Sequence, residues 1–126
     1  MKPSVIEPLV NVSGAIIEKN GAILIVQEPG KKQWSLPGGK AKPGEGPMAT
    51  LRRELSEKFP GLQIVGTPKI FRHFEPTAKN HRAVTIYLVE IEGIAVPNPE
   101  EIAEARWVND PIAELYNLPS ETIRSL

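Results

Sequence analysis

The chain contains no cysteine. Disulfides, thiol nucleophiles and thiolate metal sites are therefore excluded, and the absence fits a reducing compartment. No stretch approaches the roughly 18 consecutive apolar residues of a membrane span. The opening MKPSVIEPLVNVSG lacks the charged start and long apolar run of a signal peptide. A cytoplasmic location with no membrane partner is expected. Net charge is lacking too. Fifteen Lys and Arg balance fifteen Asp and Glu, so no global field draws the chain to nucleic acid or an acidic membrane. There are only two histidines. They have no metal-ligand spacing, and no Ser/His/Asp arrangement suggests a serine nucleophile.

What is present describes a globular protein. The 126 residues, 40% hydrophobic and 24% charged, make one domain over 1–126 with room for a real core. Thirteen prolines are scattered at segment joints, which implies many short elements and sharp loops. Residues 9–17 alternate and are rich in Val and Ile, and 22–26 form an apolar run. The Asn20-Gly21 pair between them signals a hairpin. A polar turn at 28–32 precedes a brief strand at 34–36, which Pro37, Gly38 and Gly39 break. Residues 47–59 switch to a helical period. Met48, Leu51, Leu55 and Phe59 share one side, Pro47 suits the first turn, and Pro60-Gly61 the stop. An extended segment at 63–74, broken at Gly66 or Pro68, leads through a polar loop at 75–82 to the clearest strand, 83–91. After a loop at 93–101, 105–108 reads as a last strand, with short helical pieces at 111–116 and 120–126. Strands around a helix predict an α+β fold with a mixed sheet.

The chemistry concentrates between Gly38 and Gly61. A Gly/Pro-rich loop carrying Glu45 runs into the helix. At roughly 100° per residue, Glu54 and Glu57 lie about 60° apart on one face, and Lys58 lies about 40° to the other side of Glu54. The apolar stripe is adjacent, so the helix can bury one face and present carboxylates to a cleft. A hard cation such as Mg²⁺ takes oxygen ligands and keeps several waters, so a few carboxylates suffice. The glycine pair lets backbone approach such a site. The plainer alternative, a solvated acidic face, is what Glu54 and Glu57 alone would suggest. The ordered set of glycine pair, loop acid, helix and clustered acids favours a phosphate-handling metal site.

In register, this stretch resembles the Nudix box, G-x5-E-x7-R-E-U-x-E-E-x-G-U, through Gly39, Glu45, Arg53, Glu54, Leu55 and Glu57, over about residues 39–61. The lead-in SGAIIEKNGAILIVQEPGKKQWSLPGG and the later AEARWV are also similar to the family. The resemblance implies the Nudix fold, a mixed β-sheet sandwiched between helices. It also implies Mg²⁺- or Mn²⁺-dependent hydrolysis of a nucleoside diphosphate linked to another group, with a small nucleotide as substrate. Carried onto this chain, Glu54 and Glu57 become metal ligands, with Glu54 next to the attacking water. Arg53 orients the carboxylates, Glu45 ties loop to helix, and Gly39 lends its backbone to the metal shell. Of Glu100, Glu101 and Glu104, spacing before Trp107 selects Glu101 as an outlying ligand.

The chain departs from the pattern at Lys58, where the family has a glutamate that often ligates metal, and at Pro60, where it has glycine. An ammonium cannot ligate a metal. Three outcomes are open: a single-metal site, a lysine that contacts the diphosphate directly, or a long side chain that points away. Pro60 and Gly61 shift the helix stop. Two functions follow: a metal-dependent pyrophosphohydrolase, or a catalytically weakened nucleotide-binding or regulatory module on the same fold. Arg72 and His73, with His81 and Arg82, flank the polar loop. Arg offers bidentate contacts and His acts near neutral pH, so Arg72 and His73 join Lys58 as candidate substrate-binding residues, against a merely solvated loop. Trp34 and Trp107 read as packing residues, Trp34 near the mouth of the site, and Phe71, Phe74 and Tyr87 either stack a base or pack in the core. Sheet edges and the final segment leave a homodimer open.

Overall fold

The computed structural model describes residues 9–109. Strands β1 (Val10–Lys19) and β2 (Ala22–Gln27) form the expected hairpin. Asn20 and Gly21 at its tip both have positive φ, 53° and 80°, the backbone that a two-residue turn between twisted strands requires. Two short strands follow, β3 (Trp34–Ser35) and β4 (Gly38–Lys40). Helix α1 (Pro47–Lys58) comes next, then the long strands β5 (Gln63–Phe74) and β6 (Arg82–Glu92), and finally β7 (Glu104–Val108).

The sheet is mixed. Its main order is β3-β2-β1-β6-β5, with β4 on β1 and β7 on β2. β1 and β6 run parallel over eight residue pairs, and every other pairing is antiparallel. β1 divides its second edge. Its end, Glu18 and Lys19, pairs with β2, while Val12, Ser13 and Gly14 pair with β4.

Two elements differ from the sequence expectation. Gly38 and Gly39 do not break the chain into loop; they form β4. Side-chain-free backbone allows the approach: a Cβ on Gly38 would overlap the Ser13 carbonyl. β5 is continuous, and the irregularity expected at Gly66 or Pro68 is a bulge between Val65 and Lys69, followed by another between Ile70 and Arg72. A bulge absorbs the proline's missing donor without ending the strand. The helical pieces expected at 111–116 and 120–126 lie outside the described residues. Among the described residues, α1 is the one helix, and no helix is long and apolar enough to cross a membrane.

Helix α1 lies on β1 and β4. Leu51, Leu55 and Phe59 are fully enclosed with Ala15, Ile17, Leu24, Val26, Tyr87, Val89 and Ile102, and Met48 packs at the margin. This is the stripe that the helical period predicts. Pro47 occupies the first turn after Gly46, where its missing N–H costs nothing. At the other end Asn98 closes the helix from outside. Its backbone N–H donates to the Lys58 carbonyl at 2.8 Å and its side-chain amide to the Glu57 carbonyl at 3.1 Å. Helix-end carbonyls lack intrahelical donors, so the segment before β7 supplies them, with Ile102 buried behind it.

Leu55→Ala is expected to destabilise the fold by about 2–5 kcal/mol. Ile70→Ala, at 64% exposure on the edge strand, should change stability by no more than about 0.5 kcal/mol. Urea unfolding of both variants checks the contrast.

Candidate metal and phosphate site

Arg53 stands at the outer edge of α1, and its guanidinium gathers three carboxylates. Glu45 takes it bidentately: Nε donates to Oε2 at 2.8 Å and Nη2 to Oε1 at 2.9 Å. Nη1 donates to Glu54 Oε1 at 2.9 Å and reaches both oxygens of Glu57 at 3.3 Å. Nη2 also donates to the Lys40 carbonyl at 2.9 Å. All five guanidinium N–H groups thus have acceptors, in a planar fork that lysine cannot reproduce. The neighbouring acids hold the Arg53 pKa above its already high range, Glu45 most strongly.

Glu45 fastens the loop to the helix. Besides Arg53, its Oε1 accepts the Lys42 backbone N–H at 3.0 Å and the Thr50 hydroxyl at 2.9 Å. The Arg53 hydrogen bonds, then the Lys42 N–H, pull the Glu45 carboxyl down from 4.5 to about 2. Charged-form hydrogen bonds stabilise the carboxylate, and this outweighs the opposing effect of partial desolvation.

Gly39 brings β4 against one of these acids, since a Cβ there would overlap the Glu54 carboxylate. Lys58 turns inward. Its side chain is 7% exposed, and Nζ lies 3.3 Å from Glu54 Oε2. Glu54 is therefore held on both oxygens, by Arg53 and by Lys58, while Glu57 is 40% exposed. Three carboxylates meet two cations, leaving one formal negative charge.

Gly39, Glu45, Arg53, Glu54, Glu57 and Lys58 are thus brought together. Glu101 lies in the turn whose N–H donates to the Asn98 carbonyl, on the segment docked at the C-terminus of the same helix. Among the described residues, no three His, Asp or Glu close into a metal cluster by themselves. Glu54, the more exposed Glu57 and the apposed Gly39 backbone nevertheless offer the hard oxygen donors that suit a hydrated Mg²⁺.

Beside this cluster opens a cavity of about 580 Å³. Gly39 and Lys40 line its inner edge, and Trp34, Phe74, Glu75 and Arg82 line its walls. Trp34 lies at the cavity as expected, with the Arg106 guanidinium 4.6 Å from its ring centroid. Arg72 and His73 do not line the cavity. Arg72 is exposed beside the Phe71 ring. His73 lies between Thr85 Oγ1 and Glu75 Oε1, both at 2.9 Å, and so touches the cavity only through Glu75. Sequence reasoning did not single out Glu75 or Asn80. Their one signal was membership of the polar loop between two strands, since their place at the cavity depends on how β5 and β6 pair.

The low Glu45 pKa gives a pH signature. A carboxylate whose pKa is depressed on folding stabilises above its unfolded value and loses that contribution as pH falls through the folded one. The stability gap between the native chain and Glu45→Gln is expected to be full above about pH 4.5 and to close as pH falls towards about 2. Thermal melts across that range measure it.

The NUDIX domain profile matches residues 7–122. The CTP pyrophosphohydrolase of Escherichia coli (strain K12) is 31% identical over 94 residues, 71% of this chain. The match spans 64% of that relative, less than two thirds of its length. Among solved structures, a nudix hydrolase family member from Chromobacterium violaceum superposes with a TM-score of 0.73 at 28% identity, covering 95% of this chain and 75% of that one. A MutT structure from work on Aliivibrio salmonicida and Vibrio cholerae gives 0.64 at 26% identity, covering 86% and 82%. A profile match along nearly the whole chain, on a mixed sheet whose helix carries the Arg53-linked acids beside Gly39, establishes that this chain belongs to the NUDIX family.

Proposed function

We propose that the chain is a pyrophosphohydrolase that cleaves a diphosphate linkage in a nucleotide or nucleotide derivative. The observation that carries this reading is the Arg53-held pair Glu54 and Glu57, with the Glu54 carboxylate against Gly39, a residue that lines an open cavity. The relative named for CTP pyrophosphohydrolysis supports it.

The chain's own groups divide the work. Arg53 orients the two helix carboxylates, and Glu45 holds Arg53 against the loop. Glu54 is the acceptor for the proton of the attacking water. A carboxylate offers about four lone-pair positions, so its two cationic partners leave room for water. Glu54, Glu57 and the Gly39 backbone would hold Mg²⁺ or Mn²⁺, with Glu101 as the outlying acid, and the ion would supply charge for the diphosphate and acidify bound water. The cavity takes the nucleoside. Trp34 and Phe74 offer apolar ring surface, Arg82 a cation and Glu75, steadied by His73, an acceptor for an amino group. The exposed Arg72 lies on the strand leading to this mouth, where it draws in an anionic substrate. The cytoplasm, where nucleotides and Mg²⁺ coexist, suits this chemistry.

A screen under saturating Mg²⁺ tests the reading. It covers CTP and other nucleoside triphosphates, dinucleoside polyphosphates and nucleotide sugars, with phosphate and pyrophosphate release followed separately. Glu54→Gln is expected to lower kcat by about 10²–10⁴-fold on the best substrate. Full turnover by Glu54→Gln would remove Glu54 from the role of proton acceptor.

A further inference from the structure

Lys58 sits where a lysine is costly. A buried ammonium must be paired, and this one has Glu54 Oε2 at 3.3 Å, with both side chains nearly enclosed, at 7% and 12% exposure. It does not behave as a long lysine reaching for water. The turn that carries it is pinned, because Asn98 donates to the carbonyls of both Glu57 and Lys58, and the adjoining Phe59 is fully buried in the core. The ammonium is built into the site.

Its position bears on the charge that the site can accept. Arg53 covers one Glu54 oxygen and Lys58 the other. With Glu45 and Glu57 included, the cluster carries one net negative charge. A first divalent ion already overcompensates that charge, and a second would face both that ion and the ammonium. With an acid at position 58, beside Glu54, the cluster would set four carboxylates against Arg53 alone and carry three net negative charges, enough to attract two divalent ions.

We propose that Lys58 is a positioning residue that substitutes a fixed ammonium for one divalent cation at Glu54, so that this helix holds one metal ion where an acid at the same place would admit two. The inference rests on the metal-site reading of Glu54 and Glu57 given above. Lys58 also orients Glu54 permanently, so the carboxylate is placed before any ion or nucleotide arrives.

Titration of the nucleotide-free chain with Mn²⁺, with free ion followed by electron paramagnetic resonance, tests the stoichiometry without relying on turnover. The native chain is expected to bind one Mn²⁺ and Lys58→Glu two. Lys58→Met, which keeps an unbranched chain of similar length but removes the charge, should stay at one ion and bind it about tenfold more tightly, since a like charge has gone from its side. Any native count other than one overturns the proposal. So does a Lys58→Glu variant that melts cooperatively yet still binds one ion. If Lys58→Glu does not fold, Lys58→Met decides: unchanged or weaker Mn²⁺ affinity overturns the proposal. A second arm follows kinetics. Lys58→Met should lower kcat about tenfold at saturating Mg²⁺ with little change in KM, as expected when proton-acceptor placement rather than substrate binding is disturbed, and an unchanged kcat removes the positioning role. Absence of hydrolysis in every form, with the Mn²⁺ counts as expected, would overturn the pyrophosphohydrolase reading and leave the charge substitution standing.

Discussion

The Arg53 guanidinium is the interaction on which the site depends. It reaches back eight residues to Glu45, sideways to Glu54, one turn on to Glu57 and across to the Lys40 carbonyl. Three chain segments, the end of β4, the loop and the helix, are thereby tied at one point. Without a cation there, three carboxylates at such separations would repel one another, and the loop would lose its anchor. With it, the acids are held at an address set by a planar, permanently charged group.

That arrangement requires the helix itself to be immobile. Leu51, Leu55 and Phe59 press α1 onto the sheet, and Asn98 closes its last turn. Core packing and placement of the acid cluster are therefore the same event. The face that the core buries determines which way the acidic edge points, because side chains on a helix are rigidly spaced around one axis. Glycine makes the other half possible. β4 comes close enough to meet Glu54 only because Gly38 and Gly39 have no side chains to keep β1 and α1 away.

Most of the secondary structure was legible because it rests on local rules. The Asn20-Gly21 turn, the alternation in β1 and β6, and the 3.6-residue period of α1 are written in neighbouring residues. β4 was not legible. Gly38 and Gly39 have no strand propensity, and their pairing with β1 exists only because the sheet edge is there to receive them. The continuity of β5 through Gly66 and Pro68 is likewise granted by its partner strand, which tolerates bulges.

The candidate acids, their common helix face, the glycine pair and the departure at Lys58 could all be read from the order of residues alone. All of these follow from spacing along one helix and one loop. The tertiary structure decided what spacing cannot reach. Lys58, which helical geometry allowed to point away, turns inward, since the core around Phe59 and the Asn98 clamp leave its ammonium no better partner than Glu54. The cavity beside Gly39 is assembled from residues distant in sequence, Trp34, Phe74, Glu75 and Arg82 among them. Their meeting depends on strand pairing between remote segments, and pairing is a property of the folded sheet rather than of any stretch read alone.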